Sequence, residues 1–341
     1  MRRTFRLLLS AALTTAVITG PAAMSASAAA CTWRSAALPL PAGGISGLAG
    51  ATDNVGGFAG TVKLSDGTTH VVSWKNGRIT DYGSISAAAS VQVYDQNRAG
   101  TIVGSVTVGR PGVPSSSTAF RTNGTSIENL PKPAGATSYF PRGGINDNGD
   151  IVGGYRTTRN GSSVIVGVRW PAARPGTVEE LTGTPVSSNV EGLDEDGTVL
   201  YTAADASIFE QRPFLWRAGR ITALAKPAQA GDLRGYEISA GRVVGSLYYP
   251  NAAGTYVEEA IFWDTDGVPR KLPSGKRADA INRNGVSAGT ATNGQAAIWR
   301  LGALDATLGA GTTALAVGDD GAVAGSRKVN GVDQPTVWRC S

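Results

Sequence analysis

One histidine and two cysteines are all that this 341-residue chain holds of the side chains behind most metal and thiol chemistry. With only His70, no metal cluster built on several imidazoles is possible. No Ser or carboxylate stands around His70 at the spacing of a catalytic triad, so it is expected in a turn at the surface. Lys and Arg form no run, which leaves a nucleic-acid partner without electrostatic support. Outside residues 1–30 no apolar stretch approaches the length of a membrane span, and none shows helical periodicity. No metal, no cofactor and no recognised catalytic constellation are expected.

The first 30 residues read as an export signal. Met1-Arg2-Arg3-Thr4-Phe5-Arg6 is basic, Leu7 to Ile18 is apolar, and Ala26-Ser27-Ala28 and Ala28-Ala29-Ala30 offer small-residue cleavage sites. Arg2-Arg3-x-Phe5 resembles the core of a twin-arginine signal, so general secretion and export after folding both stay open. A lipoprotein anchor at Cys31 fits less well, because Ala28 stands where leucine is usual. Cleavage before Cys31 leaves residues 31–341 as a single domain, secreted without a transmembrane segment, and lowers the formal charge from +5 to +2.

What the chain has in plenty is glycine, 46 residues of it, with many Ser, Thr, Ala and Val. That composition suits short strands and tight turns. Aromatic residues recur at Trp74, Phe120, Trp170, Trp216, Trp263, Trp299 and Trp338, at spacings of 46, 50, 46, 47, 36 and 39. A glycine ends the apolar part of an earlier strand at Gly60, Gly104, Gly153, Gly245, Gly289 and Gly325, and the fourth unit departs with Leu200. A polar turn closed by glycine precedes it, as in Asn146-Asp147-Asn148-Gly149, Asp194-Glu195-Asp196-Gly197, Asn282-Arg283-Asn284-Gly285 and Gly318-Asp319-Asp320-Gly321. An EF-hand would spread acidic ligands over twelve positions, so these four-residue segments read as turns rather than calcium loops. In the clearest unit strand a ends at Ile145, strand b is Asp150–Gly154, strand c is Val164–Trp170 and strand d is Thr177–Leu181.

The run Ile145 to Gly153, together with Ala260-Ile261-Phe262-Trp263, Ala296-Ala297-Ile298-Trp299 and Ala119-Phe120, resembles the HAF repeat of probable extracellular bacterial proteins. The resemblance covers essentially all of residues 31–341 and implies no catalytic motif.

A four-stranded unit of this length cannot cover both faces of its own sheet, and radial stacking as blades solves that problem. The expected fold is therefore all-β, a seven-bladed β-propeller, with a β-sandwich as the weaker alternative. The seventh unit stops at Trp338 without a strand d, and Thr32 to Pro39 resembles the strand d ends at Arg270–Pro273 and Glu128–Pro131. An N-terminal strand should close the last blade, with Cys31 and Cys340 forming a disulfide where the other blades have a hairpin turn.

Uniform a-to-b turns and variable b-to-c loops point to recognition on the face of the b-to-c and d-to-a connections. Arg142, Glu191, Arg234, Tyr236, Arg277 and Asp279 should gather near the start of strand a, where the central channel opens. Tyr248, Tyr249 and Tyr256, with Tyr139, Phe140 and Phe209, form an aromatic platform for a glycan or peptide, or else pack beneath the loops. The chain is read as a monomeric extracellular binding or structural module for an unknown glycan or protein. The alternative is a carbohydrate-active enzyme, a glycosidase or lyase with Glu191 and Asp279 as acid and base.

Overall fold

Short runs of Val, Ile, Ala, Thr and Gly between turn residues make strands and nothing else. The computed structural model describes residues 31–341 except 86–88, 111–112, 186, 206–209, 229–230 and 252. Phe209 and the export segment therefore lie outside the described residues. Every helix or strand described is a strand, and no helix is long and apolar enough to cross a membrane. The strands form seven four-stranded antiparallel sheets, so the fold is the seven-bladed propeller that the repeat predicts. Strand a runs over Gly44–Thr52, Ala89–Gln96, Ser138–Ile145, Asn189–Leu193, Leu233–Ser239, Gly275–Ile281 and Thr312–Val317 in blades 1 to 7.

The hairpins are longer than the apolar pattern suggests. In blade 3 strands b and c are Ile151–Arg159 and Ser162–Trp170, because Thr157 and Thr158 continue the ladder opposite Val164 and Ser163. Polar outer ends hide a strand from a reading based on hydrophobicity. Much of what reads as variable b-to-c loop is thus paired strand, Tyr248 and Tyr249 included, which lie in strand b of blade 5, Arg242–Pro250. Strand d of blade 3 shrinks to Glu179–Glu180.

Apolar residues on both faces of the middle strands divide into seven clusters, each shared by two neighbouring blades. The repeated aromatic of strand c always faces the preceding blade. Trp263 packs with Leu200 and Leu224 of blade 4, and Trp299 with Phe262 and Leu272 of blade 5. Each ring also carries a polar edge that must be satisfied when buried. The indole N–H of Trp74, Trp170, Trp216, Trp263 and Trp299 donates to the carbonyl of Pro39, Pro131, Thr182, Ala225 and Pro273, at 2.7–2.9 Å. These acceptors lie just beyond strand d of the blade before, so one side chain both fills the seam and ties it.

The polar turns are turns, as their length requires. Gly56, Gly100, Gly149, Gly197, Gly241, Gly285 and Gly321 all have positive φ, which glycine adopts without strain. Their Asn and Asp residues also link the blades. Asn282 accepts from Val286 N–H within its own turn at 2.9 Å and donates to Gly318 O of blade 7 at 2.7 Å. Asn97 accepts from Thr101 N–H and donates to Asn146 O of blade 3, while Asp194 accepts from Ala240 and Gly241 N–H of blade 5. An amide can accept and donate at once, which explains asparagine at this position.

Blade 7 closes as the chain ends require. Trp33–Ala37 pairs antiparallel with Val332–Cys340, with Ser35 opposite Trp338. Cys31 and Cys340 form a disulfide with Cα atoms 5.4 Å apart. Residues 31–341 make one compact unit.

Candidate functional site

In every blade the pairing of strand a with strand b slips near the middle of strand a, and blades 1 and 6 slip a second time near its start, at Gly44/Ser46 and Gly275/Arg277. The shared slips fall between Ala49 and Ala51, Val93 and Asp95, Phe140 and Gly144, Val190 and Gly192, Gly235 and Glu237, Ala278 and Ala280, and Ala314 and Ala316. A bulge re-aims the residue it leaves unpaired. Here Gly50, Tyr94, Arg142, Glu191, Tyr236, Asp279 and Leu315 all line one cavity of about 390 Å³, the central channel.

The strand b glycine makes room for this bulge. A Cβ on Gly60 or Gly245 would lie 1.8 Å from the carbonyl oxygen of Leu48 or Arg234, and one on Gly104 would lie 2.2 Å from Gln92 O. In the fourth blade the residue in this position is Tyr201, opposite Val190, and not Leu200, which pairs with Gly192. Tyr201 is fully buried and stacks on Phe214 at 5.4 Å, and burial pushes its phenol up to about 12. Strand a of this blade is the shortest, at five residues.

On the half of the channel nearer the d-to-a and b-to-c connections, the predicted residues come together with two additional partners, Ser246 and Glu258. Arg142 Nε lies 2.8 Å from Glu191 Oε2, and Arg277 Nε lies 2.7 Å from Asp279 Oδ1. The Arg277 guanidinium covers the Tyr236 ring at 5.6 Å, and that of Arg234 covers Tyr248 at 5.3 Å. The Tyr236 hydroxyl meets Ser246 Oγ at 3.0 Å and the Tyr248 hydroxyl at 3.3 Å, and Tyr248 donates to Glu258 Oε1 at 2.7 Å. Arg234 is exposed, and among the described residues no carboxylate lies within ion-pair distance of it.

Burial governs the carboxylates here. Glu191 is pushed up to about 7 by burial, against the pull of Arg142 and Arg234, and burial also raises Asp279 against Arg277. On the other half, nearer the turns, Asp95 accepts from Ile145 N–H of blade 3 at 2.9 Å and Glu237 from Ile281 N–H of blade 6 at 3.1 Å. Burial lifts Asp95 to about 6, and burial with the charges of Asp95 and Asp279 raises Glu237. Gly144, at φ +89°, leaves space for Asp95, whose carboxylate oxygen lies 2.4 Å from where a Cβ would stand.

Tyr249 and Tyr256 do not join this group. Neighbouring residues on a strand face opposite ways, so Tyr249 lies under Lys271, whose Nζ is 4.9 Å from its ring centroid, while Tyr256 is 72% exposed at the start of strand c. Tyr139 is buried in the seam between blades 2 and 3. His70 lies within strand c of blade 1 rather than in a turn, with Nδ1 2.9 Å from Asp81 on strand d, a partner that only sheet pairing supplies. Tyr94, Asp95 and Glu237 escape a sequence reading because the bulge position is visible only once the register of strands a and b is known. Among the described residues no three His, Cys, Asp or Glu side chains converge as a metal-ligand set.

No protein-family model and no curated protein sequence matches the chain. Among solved structures it is similar to the β-propeller domain of the Trilobed protease from Pyrococcus furiosus, with 12% identity and a TM-score of 0.51 over 73% of this chain and 78% of that one. It is also similar to an acylaminoacyl peptidase from Pyrococcus horikoshii, with 10% identity and a TM-score of 0.55 over 87% of this chain and 52% of that one. The chain thus spans about half the length of that peptidase. At such identities the likeness is one of fold.

Proposed function

We propose that the protein is an exported, monomeric propeller that binds an extracellular ligand, a glycan or a protein, at the channel rim of blades 3 to 6. One observation carries this reading: the bulges of all seven blades line one cavity, and four neighbouring ones present Arg142, Glu191, Tyr236 and Asp279. A binding site needs a few polar groups held on a rigid frame, and the rim supplies them. The N-terminal export pattern and the Cys31–Cys340 bridge support an oxidising, extracellular setting. The repeat at Ile145–Gly153 supports placing the chain with HAF-repeat proteins.

A glycosidase or lyase would use Glu191 and Asp279 as acid and base. The raised pKa of Glu191 favours that alternative, but each carboxylate is held by its own arginine, which supports binding over catalysis. The test is a combined glycan and peptide array probed with the parent protein and with Tyr236→Ala. Signals that the variant loses support the rim, and signals it keeps unchanged place the ligand elsewhere.

A further inference from the structure

The rim's chemistry narrows the ligand, provided that the rim is the binding site. We infer that it takes an acidic sugar, a glycan residue that carries a carboxylate beside free hydroxyls. Three guanidinium groups from blades 3, 5 and 6 belong to this cluster, of which Arg142 lines the channel itself, and two are answered by a carboxylate, Arg142 by Glu191 and Arg277 by Asp279, each through Nε. Arg234 has no carboxylate partner among the described residues, although it stands close enough for its charge to act on Glu191. Its Cζ lies 5.3 Å from the centre of the Tyr248 ring, a contact that leaves its N–H groups available to a carboxylate, which an arginine fork can grip with two hydrogen bonds.

Around that fork lie groups suited to sugar hydroxyls. Asp279 and Glu258 are acceptors, and the hydroxyls of Tyr236, Tyr248 and Ser246 form one chain that can donate or accept. A peptide terminus would also offer a carboxylate, but its side chain would seek an apolar recess. Among the apolar residues of the channel, Leu193, Ile238 and Val317 lie at the turn ends of their strands, and Ala51, Leu315 and Ala316 belong to blades 1 and 7, outside the blades that carry the rim. A uronic acid meets both needs of the rim in one ring, with its carboxylate on Arg234 and its hydroxyls on the carboxylates and tyrosines.

The experiment is calorimetric titration with trimers of galacturonate, mannuronate and glucuronate, their methyl esters, the free monosaccharide acids, and a peptide tested with free and amidated C-terminus. At least one acid trimer should bind, and its ester should bind at least about tenfold more weakly, the scale of one charge-assisted hydrogen bond. Arg234→Gln should remove that difference while melting with the parent protein, since Arg234 holds no carboxylate in the fold. Binding by the free acid would show that the carboxylate-bearing ring is itself the recognised unit. Equal binding of acid and ester, binding by the peptide alone, or no binding by any acid would overturn the inference. Ester or peptide binding that Tyr236→Ala abolishes would overturn it and leave the rim as the site, whereas binding that no rim variant alters would remove both.

Discussion

Across blades 3 to 6 the strand a bulge presents Arg142, Glu191, Tyr236 and Asp279 to the channel, while across blades 7 and 1 the same bulge presents Leu315 and Gly50. The backbone device is equal on both sides, with a strand b glycine facing a carbonyl in blade 1 as in blade 5. The plain side is also where the two chain ends meet, through the Trp33–Ala37 strand and the Cys31–Cys340 bridge. Closure and chemistry are therefore separated within one ring. The bulge fixes where a side chain will point, and the residue at the bulge decides what it does there.

The strongest way to break this separation is to open the plain side. Cys340→Ala should cost about 5 kcal/mol at most by the chain-entropy account of a long loop, with residual unfolded structure lowering the figure. Hydrogen exchange should then show the amides of Val332–Cys340 losing protection first, while those of Leu233–Ser239 hold. Loss of protection in all blades together would mean that closure and site are one unit.

Next in size are alanines placed in the bulge glycines of the two sides. Gly245→Ala and Gly325→Ala bring a Cβ to 1.8 and 1.9 Å from a backbone carbonyl oxygen. Each should destabilise by about 3 kcal/mol through overpacking, seen as similar drops in denaturation midpoint. Only Gly245→Ala, in the blade of Arg234 and Tyr236, should also lose the ligand.

Protons sharpen the comparison further, because the buried carboxylates of the channel have no counterpart at Leu315 and Gly50. Asp95 at about 6 and Glu191 at about 7 hold protons in the folded chain that the unfolded chain has released at the same pH. Their stabilisation is complete below the ordinary carboxylate range and is lost as pH rises through those values. The melting temperature should fall between roughly pH 4 and pH 7 on that linkage, and Glu191→Gln should flatten the fall. Glu128 and Asp266, lowered by hydrogen bonds from Arg121 and Val268, act only at more acid pH. A melting temperature that climbs from pH 5 to 7 would contradict the assignment.

The smallest effect concerns the indole links between blades. Trp263→Phe removes the bond to Ala225 O, whereas Trp338 makes no such bond among the described residues. Trp263→Phe should thus cost about 1 kcal/mol more than Trp338→Phe, the net worth of one hydrogen bond, as measured by chemical denaturation.

The blade count and the closing strand were legible because Trp spacing, turn glycines and strand d remnants such as Leu38-Pro39 are local signals. Arg142, Glu191, Tyr236 and Asp279 were found because charged and aromatic residues collect around strand a, where the channel opens. Tyr94, Asp95 and Glu237 were not, because a bulge is a property of two strands in register. The misplacement of the fourth-blade exception on Leu200 instead of Tyr201 has the same origin: without a glycine to mark it, one residue of slip cannot be seen. Tyr249 and Tyr256 read as site residues by nearness in the chain, and strand geometry parts them from Tyr248.

The claim that the charged side of the channel is the working side is tested most directly by hydrogen exchange with and without the ligand found by array or titration. The account predicts new protection in the strand a segments holding Arg142, Glu191, Arg234, Tyr236 and Asp279, and little change around Gly50 and Leu315. Protection confined to the Asn-Asp-Gly turns, or to blades 7 and 1, would contradict it.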